Sequence, residues 1–178
     1  LLYVVWQMWA GDVIIGAQLN NTAAERSEQW AAVAPVNPEA PAVSGEPTIP
    51  VEPIILPTPS DGEVWGIMHV PRFGPEYAVE IAGGTTRSVT LDPIGIGHYS
   101  DTPMPGAVGN VGLAAHRTTY GKPFGDIATL QVGDAIVMET PDGWYTYRFR
   151  TLEYVDPDAI EVVAAVPQQV GVEASDRF

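Results

Sequence analysis

The chain has 178 residues, 46% of them hydrophobic, with 22 acidic against 8 basic side chains and a formal net charge of −14 at pH 7. This length and apolar share suit one globular domain with appendages and exclude a wholly disordered chain. The acidic balance argues against nucleic-acid binding, because phosphate backbones would be repelled. The absence of cysteine excludes disulfides and thiolate metal sites, and the three histidines are too scattered to suggest zinc.

The chain begins with an apolar segment, residues 1–10, which reads LLYVVWQMWA. As a helix it would span about 15 Å, half the hydrocarbon core of a bilayer, and Trp6 and Trp9 are typical of a membrane interface. We interpret residues 1–17 as the outer part of a membrane anchor that begins before Leu1. The alternative is an amphipathic helix that packs on the domain.

Two further segments precede the domain. Residues 18–34 predict a short helix, with Asn20, Asn21 or Thr22 available as its cap. Residues 35–60 contain eight prolines, a density that excludes helix and favours an extended chain reaching roughly 80 Å. We interpret this second segment as a spacer between membrane and domain; a plain disordered linker is the alternative.

From residue 61 onward, short apolar runs alternate with turn residues, as is typical of strands. The predicted strands are residues 64–70, 77–81, 111–115, 135–139 and 144–154. In the last of these, Tyr145, Tyr147 and Phe149 share one face. The Pro-Asp-Gly sequence before it predicts a hairpin, and residues 122–131 predict one short helix. This part of the chain is therefore predicted to be mostly β, with a closed or sandwiched sheet.

One histidine stands at the end of a predicted strand. His116 follows the apolar run 111–115 and precedes a turn bounded by glycine and proline. Such a position suits acid–base chemistry, because the strand fixes the side chain while the loop admits a substrate. From the pattern alone, a structural histidine held by hydrogen bonds is the commoner case.

Several motifs in one order resemble those of sortases, most closely the class E sortases of Gram-positive actinobacteria. The motifs are HVPRFG at 69–74, GIGHYSDT at 95–102, PGAVGNVGLAAHRTTYGKPF at 105–124, WYTY at 144–147 and AAVP at 164–167. The resemblance covers about two thirds of the chain. It implies that residues 61–178 form a sortase-like eight-stranded β-barrel that lacks its last strands.

The resemblance also implies roles for three residues. His116 matches the catalytic histidine, which pairs with a cysteine thiolate and protonates the leaving amine. His98 and Tyr99 match a loop that lines the groove for the sorting signal. Class E enzymes prefer Leu-Ala-X-Thr-Gly over Leu-Pro-X-Thr-Gly, and a tyrosine hydroxyl can accept from the N–H that alanine has and proline lacks. A surface loop with an aromatic lid is the alternative for these two residues.

No catalytic role is predicted for the other polar residues considered. His69 is predicted to be structural, and Asn110 is predicted to serve a tight turn with Gly109. Neither Arg117 nor Arg177 is predicted to be the arginine that supports the reacting carbonyl in sortases. In the family, that arginine follows the cysteine on the next strand.

The resemblance implies a strand after residues 172–178 that reads roughly Leu-Thr-Leu-Thr-Thr-Cys and carries the nucleophile. We therefore expect this chain to be a fragment, not a cysteine-free paralogue, and to be inactive alone. For the parent protein the resemblance implies a membrane-anchored cysteine transpeptidase of the hydrolase class on the extracellular face. The resemblance implies no metal or organic cofactor.

The implied reaction cleaves a sorting signal between threonine and glycine through a thioester, then transfers the protein to a cell-wall amine. The implied partners are secreted proteins with C-terminal sorting signals, the amine of a cell-wall precursor and membrane lipid around the anchor. The alternative function is a non-catalytic sortase-like surface domain that binds peptides without cleaving them.

Overall fold

The computed structural model describes residues 2–33 and 53–178. These residues form one long helix and six strands, joined by short 3-10 and π-helical turns. The helix α1 is Leu2–Val33, and the strands are β1 Val64–His69, β2 Ala78–Gly83, β3 Ile96–His98, β4 Leu113–Ala115, β5 Ala135–Thr140 and β6 Gly143–Arg148. Most of the proline-rich segment, residues 34–52, lies outside the described residues.

The strands form one sheet in the order β4–β3–β2–β1–β5–β6. Neighbouring strands are antiparallel, except that β2 and β3 run parallel. The prediction of a mostly β, barrel-like domain is confirmed. Within the described residues, the sheet holds six strands and is open.

The predicted hairpin is present, and its turn joins Thr140 to Gly143. The second strand is shorter than predicted, because it ends at Arg148, which pairs with Ala135, the first residue of β5. Phe149 still exchanges backbone hydrogen bonds with Gly133 and Asp134 just before β5 (both 2.8 Å), and residues 150–154 then have no partner strand among the described residues. Along β6 the side chains alternate between half-buried and exposed, as the sequence predicted.

A β-bulge in β1 turns Trp65 into the domain interior. The pairing of β1 with β2 shifts register between Val64 and Gly66, so that Trp65 joins the side chains of the inner face. This interior cluster consists of Trp65, Met68, Val70, Val79, Ile81, Ile96, Met104 and Met138. On the outer face, the fully buried Ile67 packs against Ala23 of α1. The sheet therefore buries both faces, one inside the domain and one under the helix.

The two segments predicted before the linker form one continuous helix. The three residues predicted as caps lie inside α1; among them, Asn20 accepts a hydrogen bond through Oδ1 from the backbone N–H of Ala78 (3.4 Å). Leu19 and Ala23 are buried against the domain. This packing favours uninterrupted helix, because tertiary burial outweighs the weak preference of asparagine and threonine for helix ends.

Polar contacts also hold α1 on the sheet. Arg26 forms an ion pair with Glu80 of β2, and Ser27 donates a hydrogen bond to Glu139 of β5 (2.8 Å). The Nε2 atom of His69 lies 2.9 Å from the same Glu139 carboxylate. Within residues 2–33 and 53–178, no helix combines the length and the apolar character that crossing a bilayer requires.

The described end of the proline-rich segment lies against the domain. Leu56 packs on the interior cluster, Pro59 is buried, and the hydroxyl of Tyr145 donates to the carbonyl of Ile54. Residues 53–60 therefore pack on the domain.

The helix predicted at residues 122–131 is wrong; only a 3-10 turn, Ile127–Thr129, forms there. Two local causes are visible. Pro123 has no N–H to donate, and the N–H of Phe124 donates instead to the carbonyl of His116 (3.0 Å). The segment is therefore folded back on the residue that follows β4.

Candidate active site

His116 directly follows β4, the last strand at one edge of the described sheet. Its side chain is 15% exposed, and its Nε2–H donates to Oδ1 of Asp92 at 2.7 Å. This bond orients the ring and assigns the proton of the neutral ring to Nε2. Nδ1 is then the ring nitrogen left to exchange a proton with a reactant.

Asp92 is brought to His116 by an irregular turn. After β2, the chain forms a π-helical turn, Arg87–Leu91, a type of turn that is frequent at functional sites. The hydroxyl of Thr90 donates to the carbonyl of Gly83 at the end of β2 (3.0 Å), and the N–H of Asp92 donates to the carbonyl of Arg87 (2.8 Å). These bonds fix the carboxylate before the chain enters β3.

Sequence reasoning missed Asp92. Its local pattern, an aspartate before Pro93, indicates a turn and nothing more. The contact with His116 depends on the order of strands, because β3 lies between β2 and β4. Because Asp92 and His116 are 24 residues apart in the chain, the sequence around either residue does not indicate their contact.

The other side of the imidazole faces a tight turn at residues 119–122. The ring of Tyr120 stacks on that of His116, with centroids 4.8 Å apart and planes inclined by 25°. The hydroxyl of Thr119 lies 3.5 Å from Nδ1, too far for a strong hydrogen bond. The imidazole is therefore held between a carboxylate and an aromatic face.

His98 lies at the end of β3 with its side chain fully buried. Its Nε2–H faces the carbonyl of Pro103 (3.2 Å) and the hydroxyl of Thr102 (3.1 Å). Nδ1 is enclosed without a hydrogen-bond partner among the described residues. Burial lowers the pKa of His98, although the bond to Pro103 partly opposes that effect. The side chain of His98 therefore lies inside the domain, and its implied role in lining the groove for the sorting signal stays a prediction.

Tyr99, the next residue, is 37% exposed. Its loop is fixed by Thr102, whose hydroxyl donates to the carbonyl of Tyr99 (2.8 Å) and accepts from the N–H of Gly112 (3.0 Å). The N–H of Tyr99 donates to the carbonyl of Gly112 (3.0 Å). The loop is thus tied to the segment that leads into β4, and Tyr99 alone of the predicted pair faces solvent.

The structure separates Tyr99 from His116. His98 pairs with Leu113, and Ile96 pairs with Ala115, so Tyr99 and His116 lie at opposite ends of the β3–β4 ladder. Tyr99 lies opposite Gly112, four residues before His116, and at about 3.3 Å per residue this separation is roughly 13 Å along the strands. The two residues therefore stand apart by the length of a short extended peptide.

A large apolar cleft lies on the inner face of the sheet, away from His116. Its volume is about 1240 Å³, and its lining includes Met68, Leu113, Phe124, Ile136, Met138 and Tyr147. Neither His116 nor Tyr99 lines it. Burial raises the pKa of Tyr147, which faces this cleft.

The last described residues run beside the segment that leads into β4. The N–H of Gly109 donates to the carbonyl of Asp176 (2.8 Å), and the N–H of Val111 donates to the carbonyl of Phe178 (3.0 Å). Gly109 and Arg177 pair in parallel. The chain at Phe178 is therefore directed along β4 towards His116.

Two of the remaining polar candidates, Arg177 and Asn110, have structural partners. Arg177 donates through Nε to the carbonyl of Gly106 (2.6 Å), while Arg117 is exposed. The side-chain amide of Asn110 donates to the carbonyls of Val162 (2.9 Å) and Ala164 (3.1 Å). Its contribution is thus a side-chain anchor, and the left-handed φ of the predicted turn belongs to the preceding glycine.

Comparisons with known proteins agree on one family. Residues 68–173 match the model of the sortase domain. Sortase SrtE1 of Streptomyces coelicolor is 33% identical over 184 residues, which cover 100% of this chain and 46% of that protein. The chain therefore spans about half the length of this curated relative.

Solved structures give the same result. SrtA sortase from Actinomyces oris is 36% identical, with a TM-score of 0.65 over 71% of either chain. Sortase E1 from Streptomyces coelicolor, solved with a tripeptide in its active site, is 34% identical with a TM-score of 0.56. That match covers 65% of this chain and 74% of the other.

Proposed function

The chain belongs to the sortase family, and on that basis we propose that its parent protein is a membrane-anchored cysteine transpeptidase of the cell surface. Its substrate is a sorting signal of the form Leu-Ala-X-Thr-Gly or Leu-Pro-X-Thr-Gly, cleaved between threonine and glycine. The acyl half passes through a cysteine thioester to an amine of a cell-wall precursor. The 178 residues contain no cysteine and are proposed to be inactive alone.

One observation carries the proposal: the environment of His116. A ring fixed by Asp92 on one nitrogen and stacked on Tyr120 is built to carry a proton in a fixed direction. Its place at a strand end beside a partly open edge leaves room for a second reacting group. Its Nδ1 has no strong partner among the described residues, and the side chain is 15% exposed, so this nitrogen is accessible to a reactant.

The parallel pairing near Phe178 supports a place for the nucleophile. Gly109 faces Arg177, an offset of 68 positions. If the chain continues along β4 with that offset, His116 faces the sixth residue after Phe178. The family strand Leu-Thr-Leu-Thr-Thr-Cys has its cysteine at the sixth position, so a strand that starts there would bring the thiol beside the imidazole.

The proposed reaction has two chemical steps, formation of the thioester and transfer of the acyl group to the amine. The thiolate attacks the threonine carbonyl carbon, a carbon–sulfur bond forms, and the bond to the glycine nitrogen breaks as the imidazolium of His116 protonates that nitrogen. The accepting amine next attacks the thioester carbonyl and loses a proton to the imidazole. The sulfur leaves as thiolate, which returns the pair to its starting state.

The position of Tyr99 supports its proposed role in choosing the substrate. The alanine of the signal lies two residues before the threonine whose carbonyl reacts, a distance of about 7 Å in an extended peptide. This is about half of the roughly 13 Å separation of Tyr99 from His116 along the ladder, so the tyrosine side chain must extend towards His116 to meet the alanine. A phenol at this point reaches the backbone N–H of alanine, whereas proline offers no N–H.

We propose an extracellular position, with residues 1–17 next to the membrane, because the apolar first ten residues contain Trp6 and Trp9. The partners are then secreted proteins with sorting signals, a cell-wall amine and membrane lipid. Fractionation of the parent protein from its own cells tests this part. Recovery of all of it in the soluble cytosolic fraction would refute the anchor.

The function is tested with the chain extended by the sequence that follows Phe178 in its gene. Cleavage of a fluorogenic Leu-Ala-X-Thr-Gly peptide and transfer to an added amine should appear in the extended protein and vanish in His116→Ala. Full activity of His116→Ala would refute the site. A stop codon directly after Phe178, with peptide binding but no cleavage, would favour the non-catalytic binding domain instead.

A further inference from the structure

The first half of α1 touches the turn on which His116 stacks. Asp12 and Lys122 form an ion pair of 3.2 Å. Gly16 and Gly121 meet backbone to backbone: a Cβ atom added at Gly121 would lie 2.8 Å from the nitrogen of Gly16, and one added at Gly16 would lie 3.1 Å from the carbonyl oxygen of Gly121. Neither position has room for a side chain unless the helix and the turn separate.

The turn itself is held in an unfavourable backbone conformation. Tyr120 and Lys122 have φ angles of 51° and 53°, a left-handed region that residues with a side chain enter at a cost. Internal support is modest, since one backbone bond, from Lys122 to Thr119 (3.0 Å), closes the turn. Contacts from outside must therefore contribute to its shape, and α1 provides two of them.

The helix is itself well anchored at its other half. Ala23 packs on Ile67, and Arg26 and Ser27 reach the carboxylates of Glu80 and Glu139 on the outer face of the sheet. α1 thus forms a rigid connection from the outer face to the turn at residues 119–122.

We propose that α1 is a structural part of the active site, in which Gly16 and Asp12 act as positioning residues for His116. They hold the turn so that the Tyr120 ring stays stacked on the imidazole. The catalytic consequence rests on the proposed function, but the positional coupling does not, and it is measurable in the chain of 178 residues.

The first test compares two leucine substitutions in the same helix. Gly16→Leu forces α1 and the turn apart, whereas a Cβ at Gly11 meets no atom within 4 Å, so Gly11→Leu is the matched control. The imidazole signals of the three histidines are followed by NMR, with Tyr120→Leu as the reference for a lost stack. Gly16→Leu should shift the His116 signals towards their positions in Tyr120→Leu and leave those of the buried His98 in place.

Two results would overturn the proposal: unmoved His116 signals in a folded Gly16→Leu protein, or equal shifts in Gly11→Leu. Asp12→Asn gives a milder second variant, with the exposed Glu25→Gln of the same helix as its control. Asp12→Asn should shift the His116 signals partially. A spectrum identical to that of the unsubstituted chain would show that the ion pair with Lys122 does not help to position His116.

Kinetics on the extended protein separate this inference from the proposed function. Gly16→Leu should lower kcat on the order of ten- to hundredfold and leave KM nearly unchanged, because the histidine is displaced while the peptide groove stays intact. Shifted His116 signals with unchanged kcat would refute the catalytic role of His116 and keep the coupling. Unshifted signals with active enzyme would refute the coupling and keep the function.

Discussion

The Nε2 atom of His116 lies 2.7 Å from Oδ1 of Asp92, although 24 residues separate them in the chain. The crossover from β2 to the parallel β3 brings the carboxylate to the end of β4. Asp92 contacts the imidazole and no reacting atom, so its role in the proposed reaction is to orient the ring and to balance its charge when protonated.

Replacing that carboxylate tests its role. Asp92→Asn should lower kcat of the extended enzyme by about ten- to hundredfold, because a hydrogen bond to a charged group contributes about 1.5–3 kcal/mol. KM should change little. In the chain of 178 residues, ¹⁵N chemical shifts of His116 should move from an Nε2–H tautomer to a mixture of tautomers. The exposed Asp101→Asn is the control, and unchanged ¹⁵N shifts in Asp92→Asn would contradict the role.

Thr102→Val is predicted to loosen the loop that carries Tyr99. Valine keeps the shape but leaves the N–H of Gly112 without its acceptor. It also removes the hydroxyl bond to the carbonyl of Tyr99, which then keeps only the backbone N–H of Thr102 (2.9 Å). The free energy of unfolding should fall by about 1–3 kcal/mol, and the amide of Tyr99 should exchange faster with solvent. Thr102→Ser retains the hydroxyl and should recover most of the loss in urea unfolding. If the valine variant were as stable as the serine variant, the Thr102 hydroxyl would not stabilise this loop.

The stability of the domain should depend on pH through His98. Burial lowers the pKa of this histidine below its ordinary value of 6.5, so between the two pKa values the unfolded chain binds a proton that the folded chain does not. The free energy of unfolding is therefore highest above pH 6.5 and falls as the pH drops towards the folded pKa. In His98→Gln, which keeps a donor for Pro103, this fall should be smaller. Equal pH profiles of both proteins in chemical unfolding would contradict the prediction.

Local sequence patterns predicted those features that depend on neighbours in the chain. The alternation around Tyr145 and Tyr147 correctly placed both rings on one face of β6, and the apolar run before His116 predicted the end of β4. The strand length beyond Arg148 was overestimated because it depends on where the partner strand begins. A single strand's pattern contains no information about its neighbour.

The contacts that shape the site could not be predicted from local patterns either, because they join residues that are distant in the sequence. Asp92 reaches His116 only through the strand order, and the burial of His98 follows from the bulge that turns Trp65 inward, where the two rings lie 5.8 Å apart. Gly16 gave no signal, since a glycine in a helix indicates only lower helix propensity. Its partner Gly121 is distant in sequence and adjacent in space.

The last prediction concerns the choice between alanine and proline in the sorting signal. If the hydroxyl of Tyr99 accepts the alanine N–H, Tyr99→Phe removes one neutral hydrogen bond, which contributes about 1 kcal/mol. In the extended enzyme, the ratio of kcat/KM for the Leu-Ala peptide to that for the Leu-Pro peptide should fall about fivefold. Activity on the proline peptide should stay nearly constant, because proline has no backbone N–H to donate to Tyr99.

Tyr154→Phe is the matched control for this substitution, since Tyr154 is 77% exposed and lies in the segment beyond β6. It loses the same hydroxyl and should leave the ratio unchanged. A ratio that survives Tyr99→Phe would mean that the preference comes from the shape of the loop held by Thr102. In that case Thr102→Val, and not Tyr99→Phe, should reduce the ratio, so kinetics of the three variants on the two peptides assign the preference to the hydroxyl or to the loop.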